Sequence, residues 1–221
     1  MLARGPGAGI IGPMGLYGRH VLPRLIDLAM RSRHVRAERQ KLVPRAMGTV
    51  LEVGVGSGLN LAFYAPAVAR LYGLDPSAEL ERLARRRLRH VRVPVRLIVG
   101  SAEAVPLPDR SVDTVVSTWT LCSIPDPARA LAEIKRVLRP GGRFIFIEHG
   151  RSPDARVLAW QERLNPIWKR LAGGCHLNRS IDRLVVASGF RITEIERGYT
   201  RGPRPFTFLY KGLASPGTGG A

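Results

Sequence analysis

The sequence predicts an open α/β fold, a mainly parallel sheet of seven strands wound in both directions with helices on its two faces. Three observations predict it. Short apolar segments alternate with segments of helical periodicity through residues 47–213. The first apolar segment ends in Glu52 and then carries glycine at every second position, Gly54, Gly56 and Gly58. A second acid, Asp75, closes the next apolar segment about twenty residues past that loop.

The elements follow in order. Residues 1–15 are apolar but broken by Gly5, Pro6, Gly7, Gly9, Gly12 and Pro13, so a flexible N-terminus is expected rather than a signal-peptide core. Residues 16–46 predict a helical extension, with Val21, Leu25, Leu28 and Ala29 at helical spacing and Pro23 at a helix start. The first strand is Thr49–Val53, followed by a helix from Gly58 to about Tyr64. Arg70–Leu74 is the second strand; a helix from Ser77 to about Arg89 follows Pro76. Strands three and four are Val95–Val99 and Val112–Thr118. Asp126 is a suitable N-cap with Pro127 at the first helical position, and Leu131, Ile134 and Leu138 form that helix's apolar face. Strand five is Arg143–Glu148.

A helical insertion, Arg151–Arg179, comes next. Val157, Trp160, Leu164, Ile167, Trp168 and Leu171 make a stripe interrupted by Pro166, expected to face the core for the most part, with one or two side chains free to line a pocket. Asn178 is the expected N-cap of a helix ending at Ser188, stopped by Gly189. Phe190–Arg197 and Pro205–Lys211 read as two closing strands, and the Gly/Ser/Pro-rich residues 214–221 as a disordered tail.

The glycine spacing separates cofactor classes. A dinucleotide fingerprint wants glycines at the first, third and sixth positions. Counted from Gly54, the sixth position is Leu59, and the third glycine comes one residue early, at Gly58. Such a loop lets backbone approach a ligand, and a helix beginning there would favour an anionic group. The acid at the end of the second strand can accept hydrogen bonds from ribose hydroxyls.

With Ala102-Glu103 after the third strand and Leu138-Arg139-Pro140-Gly141-Gly142 before the fifth, these features resemble the class I S-adenosylmethionine-dependent methyltransferases, of the type 11 domain. The resemblance implies a Rossmann-like sheet and S-adenosyl-L-methionine as cofactor. It places Glu52, Gly54, Gly56 and Gly58 around the methionine moiety, Asp75 and the following Pro76 at the ribose, and Ala102 and Glu103 at the adenine. Thr118 and Trp119 fall beside the methionine portion, and Asn60 either donates to the ligand or caps the first helix. For the extension it implies a lid, with Tyr17 and His20 the residues to watch; a helix packed on the sheet edge is the equal alternative.

Methyl transfer from a sulfonium is an in-line displacement, so positioning supplies much of the rate. A thiol reacts as thiolate, of which some is present at neutral pH, whereas a hydroxyl or protonated amine needs more help. Amino-methylating nucleic-acid enzymes carry an acid or amide, two prolines and an aromatic after strand four. Here the chain reads Thr118-Trp119-Thr120-Leu121-Cys122-Ser123-Ile124, which disfavours a nucleic-acid amine. That segment, Phe146-Ile147-Glu148-His149-Gly150, Asn165-Pro166-Ile167-Trp168 and Gly173-Gly174-Cys175-His176-Leu177-Asn178-Arg179 resemble more closely the alkyl-thiol methyltransferases of animals and their bacterial relatives. That family implies a small thiol acceptor; its animal members begin with a hydrophobic anchoring helix that has no counterpart in this sequence.

His149 is the candidate base or substrate-orienting residue, against the alternative of a hydrogen-bonded structural histidine, and Glu148 the candidate to orient it or to bind substrate. Cys122 reads as buried and unreactive; Cys175 and His176 sit at a glycine-rich turn near the pocket. The two cysteines and two histidines lack metal-site spacing, so no metal is expected.

The net charge of +18 suits an anionic partner. Yet the basic residues are almost all arginine, lysine standing only at Lys41, Lys135, Lys169 and Lys211, and the preferred reading is a solvated basic surface. Clusters at Arg31–Lys41 and Arg82–Arg89 lack interleaved aromatics, which disfavours nucleic acid as a partner and leaves peripheral contact with an anionic membrane as the alternative. Two cysteines and no long apolar run favour a cytoplasmic location. The expected activity is methylation of a small thiol. The alternatives are a lipid or quinone methyltransferase at a membrane surface, and a basic nucleic-acid-binding protein with a vestigial cofactor site.

Overall fold

A computed structural model describes residues 21–217 of the chain. The flexible start predicted for 1–15, and Tyr17 and His20, lie outside the described residues. Helices α1 (Leu22–Ala29) and α2 (Arg33–Leu42) precede β1 (Gly48–Val53), β2 (Val68–Asp75), α3 (Ala78–Arg87), β3 (Val95–Val99) and β4 (Val112–Thr118). Then come α4 (Pro127–Val137), β5 (Leu138–His149), α5 (Ala155–Leu171), α6 (Ile181–Ala187), β6 (Phe190–Tyr199) and β7 (Phe208–Pro216).

The seven strands form one sheet in the order β3-β2-β1-β4-β5-β7-β6. Neighbours from β3 to β5 pair in parallel, and β7 runs antiparallel to β5 and β6. The winding reverses between β1 and β4, and ligands of such sheets bind in the crevice outside the strand C-termini at that point. Register keeps these ends level: Val53 lies opposite Ser117, and Thr118 opposite Ile147.

Alternation along β5 sends Phe144 and Phe146 to one face and Ile145 and Ile147 to the other, all fully buried. On the first face Leu131 and Ile134 of α4 and Ile181 and Val185 of α6 close the core; on the second, Leu42, Ala46 and Leu61 do. Burying one such side chain contributes about 1.5–3 kcal/mol, and central strands covered on both faces need the continuous apolar runs seen here.

Several local signals hold. The Ser77 side chain caps α3 by accepting from the Leu80 N–H, and Asp126 caps α4 by accepting from the Arg129 N–H, with Pro127 in the first turn. Gly189 stops α6 at φ +80°.

Others are corrected. No α-helix follows the glycine loop: turns lead to a single 3-10 turn, Leu61–Phe63, and Tyr64 is already extended. Gly58 at φ +81° and the return to β2 leave too few residues to nucleate a helix. The closing strands run further than predicted, and Ala214–Pro216, assigned to the tail, belong to β7, where they pair with Ile192, Arg191 and Phe190. Asn178 is not a cap; α6 begins after Ser180. Of the predicted core-facing stripe of α5, Val157 is buried, but Trp160, Ile167 and Leu171 are exposed, and the polar Gln161 is buried in their place. Pro166 sits inside α5 without ending it. In α1 the spaced Val21, Leu25 and Leu28 face outward, and Leu22, Pro23 and Asp27 are buried.

Candidate active site

The three loop glycines do different work. A Cβ on Gly54 would overlap the Thr120 side chain, and one on Gly58 would lie 2.7 Å from Leu61 and 3.2 Å from Ala84. Only Gly56 faces open space, its nearest neighbour being the Gly54 carbonyl at 3.9 Å. All three have positive φ, +72°, +54° and +81°, which glycine adopts without strain. Gly56 is therefore the one of the three with room beside its backbone, while Gly54 and Gly58 shape the turn.

Buried carboxyls flank the loop. Asp75 accepts from the Gly56 N–H at 2.9 Å and the Ser77 N–H at 2.8 Å, and burial raises its pKa to about 6. Glu52 is buried, accepts from Asn60 Nδ2 at 2.9 Å and the Tyr64 hydroxyl at 2.8 Å, and is pushed by burial up to about 7. Asn60 caps no helix. Its Nδ2 bridges Glu52 to the Thr118 hydroxyl, and its buried Oδ1 has no partner. Ala102 is buried; the Glu103 carboxylate accepts from the Asp126 N–H at 2.8 Å, joining the loop after β3 to the start of α4. Trp119 holds a left-handed conformation, φ +52°, immediately after β4.

The N-terminal helices rest on this loop through residues that the sequence reading passed over. Asp27 accepts from the Ser57 hydroxyl, from Arg31 and, at 2.9 Å, from Arg87, which also donates to the Ser57 carbonyl. Burial works to raise the Asp27 pKa, but Ser57, Arg87 and Arg31 together hold it below the usual range. Arg39 is buried, donates to the Met30 carbonyl at 2.8 Å and lies 4.8 Å over the Trp119 ring. Arg39 and Arg87 were both counted in solvated arginine clusters. Only the buried Leu42 three residues from Arg39 on α2 hinted otherwise.

On the acceptor side, β5 sends consecutive side chains to opposite faces. Glu148 is fully buried and accepts from the Ser117 hydroxyl at 2.8 Å, the Thr120 N–H at 3.1 Å and the Cys122 N–H at 3.3 Å. It holds the loop after β4 in place and makes no hydrogen bond to His149 in the structure; burial raises its pKa to about 7. His149 is buried, with Nδ1 3.7 Å from Cys175 Sγ and a partnerless Nε2. Cys175 Sγ is 3.5 Å from Cys122 Sγ. The turn that carries Cys175 is docked on the loop after β4: the His176 N–H donates to the Cys122 carbonyl at 2.8 Å, and Arg179 donates to the carbonyls of Leu121 and Ile124. Burial, with Arg179 and Lys169 nearby, lowers the His176 pKa to about 4, so it is neutral at neutral pH. His149 ends β5, Thr118 ends β4 and Val53 ends β1, so His149 and the glycine loop lie two strand spacings apart, about 10 Å. A separate groove of about 250 Å³ between α2 and β6–β7 is lined by none of these residues.

Comparison with known proteins agrees with this arrangement. Residues 51–146 match the family described as a methyltransferase domain. The chain is 34% identical over 165 residues to the thiol S-methyltransferase TMT1B of Rattus norvegicus, covering 73% of this chain and 66% of that protein. It is 36% identical over 170 residues to the thiol S-methyltransferase TMT1A of Homo sapiens, covering 74% and 69%. It is also 33% identical over 149 residues to a phosphatidylethanolamine N-methyltransferase of Cereibacter sphaeroides, covering 66% and 72%. A chain of the complex between the Haloferax volcanii Trm112 methyltransferase activator and the putative methyltransferase superimposes with a TM-score of 0.67 at 22% identity, covering 87% of this chain and 94% of that one. The fold is that of a class I methyltransferase. The chain belongs to the S-adenosylmethionine-dependent methyltransferase family. It spans about two thirds of the length of the thiol S-methyltransferases it matches.

The residues present fit the family's cofactor: open space over Gly56, a buried carboxyl at the end of β2, and an unpartnered buried acceptor on Asn60. Among the described residues no helix is long and apolar enough to cross a membrane.

Proposed function

We propose that the protein transfers a methyl group from S-adenosyl-L-methionine to a small thiol. The observation that carries this reading is His149, buried at the C-terminal end of β5 with a partnerless Nε2, beside the Cys175 side chain and level with the glycine loop. The cofactor would be held by Glu52, Gly54, Gly56, Gly58, Asn60, Asp75, Pro76, Ala102, Glu103, Thr118 and Trp119. When bound, it supplies an electrophilic methyl group on a sulfonium.

In this reading His149 Nε2 takes the acceptor proton, and the resulting thiolate is the nucleophile. Glu148 acts at one remove, by fixing the loop that bears Trp119 and Cys122. The thiol S-methyltransferase relatives support the acceptor class. A second reading, a lipid amine at a membrane surface, is favoured by the phosphatidylethanolamine N-methyltransferase relative and by exposed Leu25, Leu28, Ile167 and Leu171 on a basic protein.

The test is transfer of label from S-adenosylmethionine to a panel of small thiols, with phosphatidylethanolamine vesicles in parallel. Label in the thiols is expected, falling about 100-fold or more in His149→Ala while cofactor binding is kept. Label in the vesicles alone would replace the thiol reading with the lipid one.

A further inference from the structure

The tightest group of reactive side chains outside the cofactor loop is Cys122, Cys175 and His149. They come from three separate segments: the loop after β4, the turn between α5 and α6, and the end of β5. Both cysteines are free, with Sγ atoms 3.5 Å apart. Cys122 is buried and Cys175 partly exposed, so a small reagent arriving from solvent meets Cys175 first.

We propose that Cys175 and Cys122 form a dithiol that reduces hydroperoxides, Cys175 as the attacking sulfur and Cys122 as the resolving one.

The surroundings assign these roles. Its contact with Cys122 holds the Cys175 thiol well below the ordinary cysteine range, against burial, and His149 and Trp168 add to it. The Trp168 indole N–H is buried without a hydrogen-bond partner. The same contact and burial push Cys122 up, and its fuller burial leaves it the second sulfur to react. The Cys175 thiolate attacks one oxygen of the hydroperoxide. An S–O bond forms, the O–O bond breaks, and the departing oxygen leaves as water or alcohol after taking a proton. Cys122 then attacks the Cys175 sulfenic acid. An S–S bond forms, the S–O bond breaks, and hydroxide leaves as water with the Cys122 proton. The two thiols give up two electrons and the peroxide takes them.

Bonding draws the two sulfurs to about 2.05 Å and ties the Cys175 turn to the loop held by Glu148. It also removes the Cys175 thiolate from beside His149 Nδ1. Methyl transfer is therefore expected to slow, an effect that rests on the thiol reading above, whereas the disulfide itself does not.

The experiment treats the reduced full chain with graded hydrogen peroxide, alkylates the remaining thiols and maps peptides by mass without reduction. A Cys122–Cys175 cross-link reversed by dithiothreitol is expected. Cys122→Ser should stop at a dimedone-reactive sulfenic acid on Cys175, and Cys175→Ser should leave Cys122 unoxidised at the same dose. Two alkylated thiols after peroxide, or oxidation of Cys122 without Cys175, would overturn the proposal, whatever the methyl acceptor proves to be. Each variant's transfer rate is compared with its own untreated rate; about tenfold slowing accompanies the cross-link in the wild type, and an unchanged rate in cross-linked protein would overturn the closure.

Discussion

The two ends of the crevice are built by different means. Around the glycine loop and Asp75 the site is mostly backbone: glycines at positive φ, an N–H from Gly56 and another from Ser77 on Asp75. At β4 and β5 it is side chains from distant segments, with Cys122 meeting Cys175 across 53 residues and Ser117 meeting Glu148 across 31. A backbone-built site is written in consecutive residues. A side-chain-built site exists only once the sheet has brought its segments together. The first tolerates almost any neighbour but no Cβ, and the second tolerates backbone variation but no loss of a partner.

The largest effect is therefore expected on the acceptor side. Glu148→Ala leaves the Ser117 hydroxyl and the N–H groups of Thr120 and Cys122 without their buried acceptor. Each such loss costs about 1–3 kcal/mol, so urea unfolding should report roughly 4 kcal/mol less stability, together with lost activity. A loss below about 1 kcal/mol would mean that water replaces the carboxylate and that the loop is not held as described.

On the cofactor side, two alanines sharpen the contrast. Gly54→Ala places a methyl group into Thr120 at a positive φ and should cost about 2–3 kcal/mol. Gly56→Ala meets open space and should cost only about 1 kcal/mol for its left-handed backbone, yet weaken cofactor binding at least tenfold. Denaturant midpoints beside cofactor titrations check both. Equal affinities for wild type and Gly56→Ala would show that Gly56 is not where the ligand approaches.

The same division explains what could be read in advance. The strand and helix order, the glycine loop, Asp75, and the caps at Ser77 and Asp126 are local, and the structure has them where the pattern puts them. The helix after Gly58 was wrong because a glycine-rich turn resembles a helix start when the space available before the next strand is ignored. The α5 stripe was wrong because helical periodicity shows that a helix has an apolar face, not which face has a partner. Arg39 and Arg87 looked like solvated charge; only their tertiary positions, over Trp119 and against Ser57, bury or bind them. His149 and Glu148 were singled out as neighbours, but adjacent strand residues point apart, and their partners were visible only in the fold.

The smallest effect is a dependence on pH that spans both ends. Burial raises Glu52 and Glu148 from 4.5 to about 7 and Asp75 from 3.8 to about 6. Their native pKa values exceed the unfolded ones, so the stability they contribute is complete below the unfolded values and is lost as pH rises through the native ones. Asp27, Asp113 and Glu133 are held below their ordinary range by hydrogen bonds and cations, so their contribution is present at neutral pH and lost in acid. The cofactor-free protein should thus be most stable near pH 5, and its Tm should fall between pH 5.5 and 8, each raised carboxyl contributing at most about 1.4 kcal/mol per pH unit. Glu148→Gln should flatten that slope by removing one of the three groups, whereas Gly56→Ala, which alters no titrating side chain, should leave it unchanged. A Tm that rises over this interval would mean that the buried carboxyls at both ends are ionised and paired in the native state.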